Sequence, residues 1–313
     1  MSATALPSTS GPPADWAPCS DRSLARDDPL AGTGGFGERW LLVEIDGSWG
    51  THAFFESRLD PDIGRALVRR AEGNGIRPVA IRRFGRRADV RRAQRRWRWA
   101  LADARPGRES IRWGGVDDPA RLLDLPLDGS VGEPSSEPAV LVCTHARHDQ
   151  CCAVRGRPVA QALAAAFPEQ TWESSHLGGD RFAATMIVLP QGLYYGRVPA
   201  ERAEAVIDAY RRGEVVPDLY RGRSSFSNVV QAAQSFARAE TGDLRIDALP
   251  PVREVRSADG WIVVLSHRAG MVEITLREQM SEPLLSTCAA TVAAPVREFA
   301  LDGIRFSGRG LES

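Results

Sequence analysis

The sequence predicts a mixed α/β protein built from two strand-and-helix units, followed by a small β-rich extension. Three observations predict it. Apolar runs of strand length alternate with amphipathic segments of helix length from residue 39 onward; the same order restarts after a turn-rich linker at 128–138; and residues 260–278 alternate apolar and polar side chains across a glycine-containing turn. A chain of 313 residues is long enough for two units that each bury a core.

Residues 1–35 are rich in Pro, Ser, Gly and Ala with little periodic apolar signal, so they are expected to form a disordered tail in which Cys19 is an incidental exposed thiol. The first unit, 36–134, opens with the strand RWLLVEI (39–45) and the turn DGSWG. A helix near 60–73 and the strand RPVAIRR (77–83) follow. The stretch RRFGRRADVRRAQRRWRWA (82–100) then reads as a solvated helix with Val90, Trp97 and Leu101 turned inward.

The second unit, 135–240, carries the strand AVLVC (139–143), a loop, the helix RPVAQALAAAF (157–167), and the strands TWES (171–174) and AATMIVLP (183–190). LYYGRV (193–198) completes a hairpin. The helix 199–213 starts at a proline and stops at a glycine, and another helix lies near 228–239. YRGRSSFSN (220–228) reads as a polar loop capping that helix, the alternative being a ligand loop with Arg221 and Arg223 as anion anchors. In the extension, 241–313, His267 and Cys288 are expected to pack.

Charge is balanced, with 40 acidic and 40 basic residues, all of the latter arginine. That balance argues against nucleic-acid and membrane-surface partners. No apolar run of about 18 residues occurs, and the start has neither a basic segment nor an apolar one of signal-peptide type, so a cytoplasmic location is expected. Thiols stay reduced there, and clustered cysteines then point to metal binding or redox chemistry rather than to structural disulfides.

Such a cluster is present. CTHARHDQCC (143–152) holds three of five cysteines and two of five histidines, and HLGGD (176–180) follows the next strand. Cys143 ends a strand and Cys151 and Cys152 precede a helix, which places them along the carboxyl edge of a sheet. The helix N-terminus, with Arg155 and Arg157 nearby, favours thiolate. Adjacent residues of an extended segment point apart, so one of Cys151 and Cys152 is expected in the core. His176 and Asp180 form a second pair, and Gly178 and Gly179 between them allow close backbone approach to an inorganic centre.

From about Trp40 to Cys288 the chain resembles the sucrase/ferredoxin-like family, relatives of the thioredoxin-like [2Fe-2S] ferredoxins. The likeness is strongest in VLVCTHARHDQCCAVRGRPVA, WESSHLGGDRFAATMIVLPQGLYYGRV and YRGRSSFSNVVQAA. It implies two thioredoxin-like units, the second holding a [2Fe-2S] cluster between a C-x8-C pair and an H-x3-H pair. Those pairs fall on Cys143 and Cys152, and on His176 and position 180, where this chain has Asp180 in place of the second histidine. Either Asp180 ligates through a carboxylate oxygen, or Cys151, His145 or His148 substitutes, or the cluster is absent. Arg181 is expected to orient Asp180 or screen its charge.

The function implied is electron transfer with a redox partner protein, a reductase or an electron acceptor, rather than stand-alone enzyme activity. With two thiolates, one imidazole and one carboxylate, an oxidised core of charge plus two leaves the site at minus one, between a bis-histidine and an all-cysteine centre. Rival readings are a zinc site on the same residues, a thiol oxidoreductase and a cluster-free interaction protein. The oxidoreductase lacks a C-x-x-C, and a Cys151–Cys152 disulfide would be strained. No carboxylate pair for sugar hydrolysis can be picked out.

Overall fold

The run RWLLVE forms a strand buried on both faces, Trp40 and Leu42 pointing to one side and Leu41 and Val43 to the other. This strand lies well inside a sheet that neither half of the chain completes alone. The computed structural model describes residues 17–88 and 93–308.

In chain order the described elements are α1 (Cys19–Ala25), β1 (Arg39–Glu44), α2 (Pro61–Gly73), β2 (Ile76–Arg82), β3 (Trp97–Asp103), β4 (Ser110–Val116) and β5 (Glu133–Ser135). There follow β6 (Ala139–Cys143), α3 (Gln150–Ala166), β7 (Thr171–Ser174), β8 (Met186–Leu189), β9 (Leu193–Tyr195), α4 (Ala203–Arg211), β10 (Tyr220–Arg223) and α5 (Asn228–Thr241). The last four strands are β11 (Pro251–Arg256), β12 (Trp261–His267), β13 (Gly270–Met280) and β14 (Arg297–Gly308). No helix among the described residues is long and apolar enough to cross a membrane.

Strands β1 to β10 make one ten-stranded sheet in the order β10-β9-β8-β6-β7-β2-β1-β3-β4-β5. The two expected units are therefore halves of a continuous layer. They meet where β2 runs antiparallel to β7, with Ile81 opposite Ser174 and Arg82 opposite Glu173. One apolar core crosses the junction, joining Trp40, Leu42 and Ile81 to Leu141, Trp172 and Ile187. A buried ion pair marks the same seam, with Arg82 Nε 2.9 Å from Glu173 and its Nη1 donating to Gly47 O at 2.6 Å.

The arginine-rich stretch is not the expected helix. Its end, WRWALAD, is β3, in which Trp97, Trp99 and Leu101 face one core and Ala100 and Ala102 the other, a period of two. Val90 lies outside the described residues. Arg83 stacks over Trp172 and Arg98 over Trp113, so tertiary partners placed on neighbouring strands claim these cations.

The chain before β1 is likewise no tail from residue 17 on. Thr33 N and Gly34 N donate to Arg221 O, Gly37 N donates to Ser224 O, and Arg197 Nη2 donates to Ser23 O and Asp28 O. Cys19, expected to be exposed, is 1 % exposed. The segment lacks apolar periodicity because backbone hydrogen bonds to distant residues, rather than an apolar face of its own, hold it in place.

Helix α3 starts at Gln150, well before the expected residue 157. Asp149 caps it by accepting from Cys151 N at 2.8 Å, and Pro158 sits in its interior rather than in its first turn. Gly156 lets this helix close on β6: a Cβ there would lie 2.0 Å from Cys143 O. Gly156→Ala is expected to destabilise the protein by about 2 kcal/mol, because overpacking against backbone outweighs the gain in helix propensity. Denaturant unfolding of the two proteins checks this, and an unchanged or raised midpoint would contradict it.

The extension is a separate sheet in the order β11-β12-β13-β14, antiparallel throughout. Val263, Leu265, Val272, Ile274 and Leu276 pack against Val229, Ala233 and Ala237 of α5. Helix α5 thus joins the small sheet to the β10 edge of the large one. In the YRGRSSFSN segment, Tyr220–Arg223 is β10 and Ser227 caps α5 by accepting from Val230 N at 3.1 Å.

Candidate metal centre

Two strand ends and one helix start build the site. β6 delivers Cys143 at its carboxyl end, the first turn of α3 carries Cys152, and the loop after β7 returns with His176 and Asp180. Gly178 at φ 98° and Gly179 at φ 80° occupy the left-handed region, so glycine serves the reversal that brings Asp180 back beneath His176.

The four residues converge. The ligand atoms of Cys143, Cys152 and His176 lie within 4.8 Å of one another, and so do those of His148, His176 and Asp180. Cys152 Sγ is 3.1 Å from Asp180 Oδ1, and His176 Nδ1 is 3.1 Å from the same oxygen. The imidazole contact is close but not directed as a hydrogen bond, and Nδ1 is a buried nitrogen with no hydrogen-bond partner. A ring nitrogen without a directed hydrogen bond, beside two sulfurs and a carboxylate, is a donor set suited to a transition metal.

The acid–base state agrees with close packing of these groups. The Cys152 hydrogen bond holds Cys143 well below the usual thiol range, against the opposing effect of burial, and His176 adds to it. Cys152 is the protonated partner, pushed up by that same hydrogen bond and by burial. Burial disfavours the His176 cation, but Asp180 and Cys143 outweigh it and raise this group to about 9. Burial would raise Asp180 too, yet His176 and Cys152 hold it below the ordinary carboxylate range.

Cys143, Cys152 and Asp180 are all buried, whereas the His176 side chain is 28 % exposed. His148 stacks on His176 with ring centroids 3.7 Å apart. Both rings border a cleft of about 260 Å³ that Thr51, Phe54, Phe55 and Glu72 also line.

Of the alternative ligands, His145 and His148 both line this cleft, and His148 is the one whose ring nitrogen comes within 4.8 Å of the His176 and Asp180 ligand atoms. His145 Nε2 donates to Gly50 O at 2.7 Å, in the other half of the chain. Cys151 turns away from Cys152 and meets Cys19 and Cys288, and Cys288 packs against that pair as expected. On a helix, neighbouring side chains diverge by about 100°, which separates the adjacent thiols as an extended chain would.

Arg181 does not serve Asp180. Its Nε lies 3.5 Å from Asp28 and its guanidinium stacks on Phe182. The residues that fix the loop are Arg77, Arg221 and Tyr194, which donate to Leu177 O at 2.7 Å, to Gly178 O at 3.0 Å and to Leu177 O at 2.9 Å. A Cβ at residue 179 would meet the Arg221 guanidinium at 2.2 Å, a second reason for glycine there. Arg221 is 2 % exposed, so its role is to hold the loop rather than to anchor an anion. Arg223 is also buried, donating to Glu109 and Ala104 O. Arg77 lies 100 residues from its acceptor, and no local signal marks it.

Solved structures similar to part of the chain are those of a thioredoxin-like [2Fe-2S] ferredoxin from Aquifex aeolicus. It is 22 % identical, with 28 % of this chain and 94 % of that one covered at a TM-score of 0.26. A cysteine-to-serine variant of that ferredoxin is 23 % identical, with 26 % and 96 % covered at a TM-score of 0.24. No curated protein matches the chain. The family model described as sucrase/ferredoxin-like matches residues 37–222, more than half of the sequence and the whole of the site. The chain belongs to the sucrase/ferredoxin-like family.

Proposed function

We propose that this protein is an electron carrier holding one [2Fe-2S] cluster, with Cys143 and Cys152 as ligands of one iron and His176 and Asp180 as ligands of the other. The observation that supports the reading is the convergence of two thiols, one imidazole nitrogen that makes no directed hydrogen bond and one carboxylate at the meeting of two loops. When bound, the cluster would supply one-electron redox chemistry.

The chain's own residues divide the remaining work. Cys143 and Cys152 keep the inner side dry, since both are buried and the apolar core includes them. Gly178 and Gly179 admit close backbone approach, while Arg77, Arg221 and Tyr194 keep the loop from drifting. His176 and His148 form the exposed edge at the cleft, where a redox partner protein, a reductase or an acceptor, would dock. We place the protein in the cytoplasm, where its thiols stay reduced, and assign it neither a nucleic-acid nor a membrane partner.

A zinc ion on the same residues is the second reading, favoured by the mutual approach of three ligand atoms within 4.8 Å. Iron and acid-labile sulfide analysis of anaerobically purified protein, with electron paramagnetic resonance of the reduced form, separates the two. Equal iron and sulfide, with a signal of mixed nitrogen or oxygen ligation, is expected. A colourless, iron-free protein carrying zinc at these residues would overturn the electron-carrier reading.

A further inference from the structure

Cys151, left over from the site above, ends in a second cluster of metal-binding groups. Its Sγ lies 3.5 Å from Cys19 Sγ and 3.0 Å from Cys288 Sγ, and Cys288 Sγ lies 3.6 Å from Cys19 Sγ. The Asp149 carboxylate closes the group, its oxygens 3.9 and 4.0 Å from Cys19 Sγ. One ligand atom from each of the four residues falls within 4.8 Å of all the others. Three of the residues are buried, Cys19 and Cys151 at 1 % exposure and Asp149 at 3 %.

We propose that Cys19, Cys151, Cys288 and Asp149 bind one structural zinc ion that clasps the N-terminal segment and the C-terminal sheet onto the start of α3. Tetrahedral thiolates on zinc, at Zn–S of about 2.3 Å, stand about 3.8 Å apart. Two of the three sulfur separations, 3.5 and 3.6 Å, lie within a few tenths of an ångström of that value, and the third, 3.0 Å, would open by about 0.8 Å on binding. A disulfide would join only the nearest pair, Cys151 and Cys288, and would leave the Cys19 thiol over, whereas one ion takes all three sulfurs.

The carboxylate is pre-set for a metal. Asp149 accepts from Cys151 N at 2.8 Å and from Cys288 N at 2.7 Å, so two of the proposed ligand residues orient a third. Ser20 Oγ donates to Cys151 Sγ at 3.3 Å, offsetting thiolate charge. The ligands come from residues 19, 149, 151 and 288, so the sequence shows no knuckle spacing.

The clasp also has a mechanical consequence. Asp149 caps the helix whose first turn carries Cys152, so the ion would tie the chain's distant segments to the backbone beneath the first site. The inference does not depend on whether that first site holds iron.

Metal analysis of the full chain tests it. Cys19→Ala and Cys288→Ala are each expected to lose one equivalent of zinc per chain while the iron and sulfide content stays that of the parent. Because either variant could fail to fold, the doubly substituted Cys143→Ser/Cys152→Ser chain is the second arm. It should retain one equivalent of zinc and, after exchange, give a thiolate-to-cobalt charge-transfer band with Co²⁺. Zinc in that chain but no iron in the parent would sink the electron-carrier reading and leave this one standing. A parent free of zinc and unable to bind Co²⁺ in this chain, or one carrying a Cys151–Cys288 disulfide in place of metal, would overturn the inference.

Discussion

Cys143→Ser and Cys152→Ser each empty the candidate redox centre, while Cys151→Ser leaves its iron in place. Loss of a residue that merely supports a metal ligand costs roughly 10–100-fold in affinity, so loss of a direct thiolate ligand costs at least that much. The control is informative because Cys151 and Cys152 are adjacent in sequence yet face different partners: Cys152 meets Asp180 at 3.1 Å, and Cys151 meets Cys288 at 3.0 Å. Iron and sulfide per chain, measured after anaerobic purification, reads out both. Iron lost with Cys151→Ser but kept with Cys152→Ser would reverse the assignment of the two thiols.

Asp180→His raises the midpoint potential of the loaded protein. Two thiolates, one imidazole and one carboxylate leave an oxidised core at minus one, and exchanging the carboxylate for a second imidazole leaves it neutral. Greater negative charge disfavours the added electron, and the span between all-cysteine and bis-histidine centres sets the scale, so the expected rise is on the order of 100 mV. Asp180 is 5 % exposed, so little solvent screens the change. A redox titration of parent and variant followed by optical absorption measures it. A lower potential in the histidine protein would mean that Asp180 is not a ligand, and His148, within reach of His176 and Asp180, would be the first replacement to examine.

Local chemistry made much of this legible. AVLVC and TWES are strands with the expected bounds because a continuous apolar run and an alternating one declare themselves within five residues. Cys143, the Cys151–Cys152 pair, His176 and Asp180 could be grouped from sequence because they end or follow those strands, and the choice of Cys152 from the pair is what the family resemblance implies. Where the reading erred, a distant partner outweighed the local pattern. Arg82 and Arg83 are charged and sequence-adjacent to other arginines, which suggests a solvated face. Glu173 and Trp172 of the neighbouring strand instead take them into the sheet junction. The sequence places helix α3 at 157–167, but it starts at Gln150 with Asp149 as its cap.

The sequence by itself determined an α/β chain with a sulfur pair and an imidazole–carboxylate pair at the ends of successive loops, since strand periodicity and motif spacing are properties of short segments. Only the tertiary structure decided that the halves share one sheet and that Cys19 and Cys288 leave their separate termini to meet Cys151. Those outcomes depend on contacts between residues more than 90 positions apart, for which no local pattern is required.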